Sequence, residues 1–112
     1  MFSVIFPGQG SQIVGMGKDL HSKYNIIKKL FKEADDILGF SISNVILEGP
    51  KEKLDLTENT QPAIFLLGYS IFNLLKKENF IDLSKAKFFA GHSLGEYTSL
   101  ACAESLSFSE TL

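Results

Sequence analysis

Gly91-His92-Ser93-Leu94-Gly95 has the spacing Gly-x-Ser-x-Gly, which sets a serine hydroxyl on a sharp turn between a strand and a helix. The flanking residues suit that geometry. Lys87-Phe88-Phe89-Ala90 is a short apolar run that reads as a buried strand, and residues 94–103 read as a helix. In such an elbow the backbone N–H of the residue after the serine, here Leu94, faces the anion formed when the hydroxyl attacks a carbonyl. The two glycines let strand and helix cross closely. The chemistry implied is acyl transfer or hydrolysis through a covalent ester on Ser93. A chance match to this spacing arises about 0.04 times in a chain of this size. The plain alternative is a glycine-rich turn with an unreactive serine.

A serine nucleophile also needs a second oxyanion donor and a base. Pro7-Gly8-Gln9-Gly10-Ser11-Gln12 is a loop after an early β-prone run, where flanking glycines let the backbone of Gln9 approach a reacting oxygen. Taken alone, the same segment is more often just a turn. Of the two histidines, His92 adjoins Ser93 and its side chain diverges from it, which suits packing or hydrogen bonding beneath the turn. His21 reads as a surface residue near the end of a polar helix. In elbow hydrolases the base follows the serine by many residues. Only nineteen residues follow Ser93, so the base is expected beyond residue 112. No Cys/His cluster has metal-ligand spacing. The single Cys102 excludes an internal disulfide and reads as a small buried apolar side chain.

The elements that must position these groups follow from periodicity. Residues 3–6 form a β-prone run ended by Pro7-Gly8. Residues 13–22 read as a short helix. Ile26, Ile27, Leu30, Phe31, Ala34, Ile37 and Leu38 share one helical face, and Gly39 stops that helix. Residues 43–47 and 51–54 read as helical turns around Gly49-Pro50. A long helix is predicted from an N-cap at Thr60, with Pro62 in its first turn, to Leu75. Its apolar residues surround most of its circumference, which predicts deep burial. Residues 79–86 read as a polar connection. The runs 3–6 and 87–90 are expected to be parallel neighbours, because both their C-terminal ends must reach one site. Ser107-Phe108-Ser109-Glu110 fits a capping box that announces a further helix. Two strands are few for a covered parallel sheet. The expectation is therefore a fragment, cut just inside a helix, with an apolar patch left open beside the long helix.

Composition bounds the function classes. The 112 residues carry a net charge of −2 and are 45% apolar, an ordinary globular balance for at most one domain. The basic residues are eleven dispersed lysines with no arginine, which is no nucleic-acid footprint. No apolar stretch is long enough for a membrane span, and the N-terminus lacks the pattern of a signal peptide. A cytoplasmic location is the expectation.

Phe6-Pro7-Gly8-Gln9-Gly10-Ser11-Gln12, Thr60-Gln61-Pro62-Ala63 and Gly91-His92-Ser93-Leu94-Gly95-Glu96 together closely resemble the malonyl-CoA:acyl carrier protein transacylase family. The resemblance runs along the whole chain and over about the first third of a family member. It implies an α/β fold: a partial α/β-hydrolase-like core of parallel strands covered by helices, truncated at the C-terminus. It implies that residues 1–112 are the N-terminal part of one acyltransferase catalytic domain. The implied activity is transfer of malonyl from coenzyme A to the phosphopantetheine thiol of acyl carrier protein in fatty acid biosynthesis. Ser93 matches the nucleophile, and Gln9 and Leu94 match the positions whose N–H groups form the oxyanion hole. Gln61 matches a residue lining the acyl pocket. His92 is taken with it as substrate-binding, and His92 and Glu96 belong to the motif without being the base. The family's catalytic histidine and carboxylate-binding arginine would both fall past Leu112, leaving the fragment itself inactive. No metal or cofactor is implied beyond the two thioester substrates, and the partner is acyl carrier protein. The rival readings are an acyltransferase domain of a polyketide-type synthase, a serine esterase or thioesterase, and a binding or scaffold module.

Overall fold

A computed structural model of the chain describes residues 2–8, 10–78, 86–91, 98 and 112. The chain begins with strand β1 (Phe2–Phe6), passes through helices α1 (Lys18–Lys23), α2 (Asn25–Leu38), α3 (Ile42–Glu48), α4 (Lys51–Leu54) and α5 (Thr57–Lys77), and returns in strand β2 (Ala86–Gly91). β1 and β2 pair in parallel, with Ser3 opposite Phe88 and Phe6 opposite Gly91, and with an irregular step between Phe2 and Ser3. The expected parallel neighbours are therefore present, each longer than expected: β1 gains Phe2, and β2 gains Ala86 and Gly91. Parallel strands need a long crossover, and all five helices lie within it.

The core is built by α2, α3 and α5. Ile27, Phe31 and Ala34 of α2 recur at helical spacing and are buried, as are Ile42, Val45 and Ile46 of α3 and Ala63, Phe65, Leu66 and Leu74 of α5. Ile37, expected on the α2 core face, is 43% exposed. Gly39 ends α2 as the sequence indicates, at φ 79° with its N–H donating to the Asp35 carbonyl. The Asp35 carboxylate then accepts from the Ser43 backbone N–H at 2.9 Å and the Ser43 hydroxyl at 2.6 Å, which fixes α3 against α2.

Two helix starts differ from the sequence reading. The helix expected over 13–22 begins only at Lys18, because Gly15 and Gly17 take left-handed backbone (φ 86° and 74°) and hold residues 14–17 in turns. The long helix begins at Thr57, three residues before the expected N-cap. Thr60 lies inside it and is fully buried. Its hydroxyl donates to the carbonyls of Leu54 and, at 3.0 Å, Leu56, while the Asn59 side-chain amide donates to the Lys53 carbonyl at 2.8 Å. These side chains serve the C-terminal carbonyls of the four-residue α4, groups that no short helix satisfies by itself. Pro62 consequently falls in the second turn. Glu58, the residue whose carbonyl its missing N–H would have met, is exposed, so water can replace the donor.

α5 has two apolar faces. One faces the helical core. The other, formed by Ile64, Leu67, Gly68, Ile71, Phe72 and Leu75, lines a cavity of about 360 Å³ with Ile5 and Pro7 from the β1 end and Ser11, Ile13 and Met16 from the following loop. Ile5 and Ile13 at its rim are 78% and 71% exposed, whereas Ile64 and Phe72 on the helix itself are buried. Among the described residues no helix is long and apolar enough to cross a membrane. β2 begins at Ala86, inside the segment read as a connection, and residues 79–85 lie outside the described residues. Of the helix expected over 94–103 only Thr98 is described, helical and buried. Cys102 and the capping box at 107–110 lie outside the described residues.

Thr60→Val should cost about 1–3 kcal/mol of folding stability by stranding the buried Leu54 carbonyl. Thr60→Ser should keep most of it. Urea unfolding of the three proteins, showing Thr60→Val as stable as the native chain, would refute the capping role.

Candidate functional site

The parallel pairing ends at Phe6 and Gly91. Both strands therefore end at the same edge of the sheet, β1 just before Pro7-Gly8 and β2 at Gly91. Gln9, His92, Ser93 and Leu94, the expected oxyanion donors, nucleophile and motif histidine, lie outside the described residues, and so does Glu96. Gln61 is described: it occupies the fifth position of α5 and is exposed.

The loop after β1 is held by its own polar groups. The Ser11 hydroxyl donates to the Gly8 carbonyl at 2.8 Å, and the Ser11 N–H approaches the same oxygen at 3.4 Å. The Gly10 N–H donates to Gln12 Oε1 at 2.8 Å, and Gln12 Nε2 donates to Asp55 Oδ1 at 3.1 Å. Gly10 takes φ 109° with nothing near the position a Cβ would occupy, so glycine is needed there for backbone conformation alone. Farther along, the Gly15 N–H donates to the Ile46 carbonyl at 2.7 Å, and the Val14 side chain packs against Gly49 at the α3–α4 corner.

Asp55 sits at the C-cap of α4 and also pairs with Lys51. Hydrogen bonding from Lys51, and then from Gln12, holds its carboxyl below the usual carboxylate range. It therefore stays an acceptor for Gln12 at neutral pH. Neither Gln12 nor Asp55 is marked by the sequence as a pair, since 43 positions separate them. Among the described residues no group of three His, Cys, Asp or Glu side chains is arranged to hold a metal.

Comparison with known proteins bears on this arrangement. The acyl transferase domain family matches residues 3–112. The malonyl CoA-acyl carrier protein transacylase of Haemophilus influenzae is 44% identical over 111 residues, which is 99% of this chain and 35% of that protein. An acyl carrier protein S-malonyltransferase from Vibrio cholerae superposes with a TM-score of 0.91 at 38% identity, covering 98% of this chain and 35% of that one. A type II PKS acyl-carrier protein in complex with its malonyl-transacylase gives a TM-score of 0.91 at 36% identity, with coverage of 98% and 35%. The chain thus spans about a third of the length of the relatives it matches, and the likeness is that of an α/β acyltransferase fold.

His21 is the histidine among the described residues, and it is more than a surface group. Its ring lies 5.1 Å from that of Phe31, tilted by 50°. Burial against this ring, and secondarily the Lys28 charge, lower its pKa from 6.5, with Asp35 opposing. Between the lowered value and 6.5 the folded chain holds fewer protons than the unfolded one. Stability therefore rises with pH across that window and is lost as pH falls through it. The ring-proton NMR titration of His21 should have its midpoint below 6.5, and His21→Gln should flatten the loss of stability between pH 7 and 5. A midpoint at or above 6.5 would contradict the packing.

Proposed function

We propose, from the premise that this chain belongs to the acyl transferase domain family, that the protein carrying it moves malonyl from coenzyme A to the phosphopantetheine thiol of an acyl carrier protein in fatty acid biosynthesis. The observation that supports this most is the parallel pairing of Phe6 with Gly91. It ends both strands at one edge of one sheet, and a common edge is what an acyl site shared by Gln9 and Ser93 would require. The relatives named above, called malonyl transacylases over nearly the whole of this chain, supply the substrate class.

In this reading residues 1–112 are the N-terminal part of one catalytic domain and part of an α/β-hydrolase-like core. Ser93 Oγ attacks the malonyl thioester carbonyl, and the N–H groups of Gln9 and Leu94 receive the oxyanion. The tetrahedral intermediate expels the coenzyme A thiolate and leaves a malonyl ester on Ser93. The carrier thiol then attacks that ester and regenerates the serine. Gln61 and His92 contribute to the substrate-binding surface. Serine and backbone amides carry the covalent work, so the reading needs no cofactor beyond the substrates.

Two tasks are unassigned within these residues. The family resemblance implies that the base that takes the Ser93 proton is a histidine outside residues 1–112; of the two histidines here, His92 adjoins the nucleophile and His21 packs on Phe31. The malonyl carboxylate suits a planar bidentate partner, which the family resemblance makes an arginine; residues 1–112 contain none. The cytoplasm is the location that goes with this role. The similarity to a transacylase solved with a type II PKS carrier favours one alternative, the same transfer serving a polyketide pathway.

In the full-length protein, malonyl-CoA should add one malonyl mass to the native enzyme and none to Ser93→Ala, whose turnover should fall on the order of a million-fold. Intact-mass spectrometry showing the same adduct on both would remove Ser93 from its role.

A further inference from the structure

The residues flanking Gln9 are each held by a different side chain. Ser11 holds the carbonyl of Gly8 at 2.8 Å, and Gln12 holds the N–H of Gly10 at 2.8 Å. A peptide unit is planar, with its carbonyl oxygen and N–H on opposite sides. Gly8 O lies on the unit that ends in the Gln9 N–H, and the Gly10 N–H lies on the unit that begins with the Gln9 carbonyl. The Gln12 amide could turn freely if it touched only its own loop. Its Nε2 instead donates to Asp55 Oδ1 at 3.1 Å, a group on another element. Asp55 is itself tied down, by Lys51 through its side chain and by its backbone N–H to the Lys51 carbonyl at 2.9 Å.

We propose that Gln12 and Asp55 are positioning residues for the loop after β1: Asp55 orients the Gln12 amide, which fixes the Gly10 N–H, on the peptide unit next to the residue read as the oxyanion donor. The proposal rests on the reading of Gln9 as an oxyanion donor. A glycine-flanked donor is free to turn away from the reacting oxygen, and a donor misplaced by about 1 Å can cost on the order of 100-fold in rate. The helical bundle behind α4 supplies the rigidity that two glycines cannot. The effect belongs to the transition state, because the oxyanion does not exist in the bound thioester.

The test uses the full-length protein and has two readouts. The first is amide hydrogen exchange at Gly10, which requires no activity. Gln12→Ala and Asp55→Ala should each speed it at least about tenfold, and Asp55→Asn, which keeps an acceptor for Gln12, should restore most of the protection. The second is single-turnover formation of the malonyl ester from malonyl-CoA. Each alanine variant should lower the maximal rate about 10- to 100-fold with the half-saturating concentration within about twofold of native. The double variant should be no slower than the slower single one. Asp55→Asn should stay within about threefold of the native rate. Unchanged Gly10 exchange, effects that multiply in the double variant, or a loss confined to substrate affinity would each overturn the proposal, while native ester formation leaves the transacylase reading standing. A native enzyme that forms no ester while Gly10 exchange still responds would overturn that reading, and the positioning role with it.

Discussion

Two parallel strands cannot be joined by a tight turn, and the pairing of β1 with β2 is the constraint from which the rest of the chain follows. The residues between Phe6 and Ala86 must leave the sheet at one end and return at the other. The five described helices make up most of that path, and α2, α3 and α5 share one core: Phe31, Ile46 and Phe65 are all buried. The same pairing has a chemical consequence. Parallel strands end together, so the glycine-rich segments after Phe6 and at Gly91 share an edge. In an antiparallel pair those segments would stand at opposite ends, and no single carbonyl could meet both.

The crossover is held by more than apolar contact. α4 is one turn long and cannot satisfy its own ends. Asn59 and Thr60, on the helix that follows, turn their side chains back to the carbonyls of Lys53 and Leu54. Burying Thr60 is favourable because its hydroxyl meets the Leu54 carbonyl, which would otherwise be stranded, and Asn59 adds a donor to the Lys53 carbonyl beside the Leu56 N–H. Asp35 does the corresponding work at the start of α3. The polar side chains that look like surface residues in the sequence are thus the joints between helices, and the aliphatic ones fill the space the joints enclose.

Periodicity made some of this legible in the sequence and sequence distance hid the rest. The face of α2 and its glycine stop could be read because both depend on residues within one helix. The strand pair could be read because the chemistry of the two glycine motifs demanded a common edge. The start of α5 was misplaced because Thr60 looks like an N-cap. Its hydroxyl serves α4 instead, and nothing local distinguishes an oxygen that accepts from its own helix from one that donates to another. Gly15 and Gly17 were tolerated in a predicted helix where both need positive φ. The contact of Gln12 with Asp55 spans 43 positions and has no periodic signature. The motif residues drew attention to the loop, whereas its anchor could be found only in three dimensions.

That anchor bears on how a loop can be both permissive and stiff. Glycine at position 10 permits φ 109° and also adds to the conformational freedom that folding must remove. A catalytic amide needs the first property and is harmed by the second, because a donor that must reorganise during reaction loses most of its electrostatic advantage. Hydrogen bonds within the loop, from Ser11 and Gln12, narrow that freedom without adding bulk where a substrate would approach. Alone they would move with the loop. The Gln12–Asp55 contact joins them to a helix corner that is in turn fastened to the core through Thr60 and the Leu54 carbonyl. The path from the Gly10 N–H to the hydrophobic core is then a short series of hydrogen bonds. Precision at the sheet edge depends on packing some distance behind it.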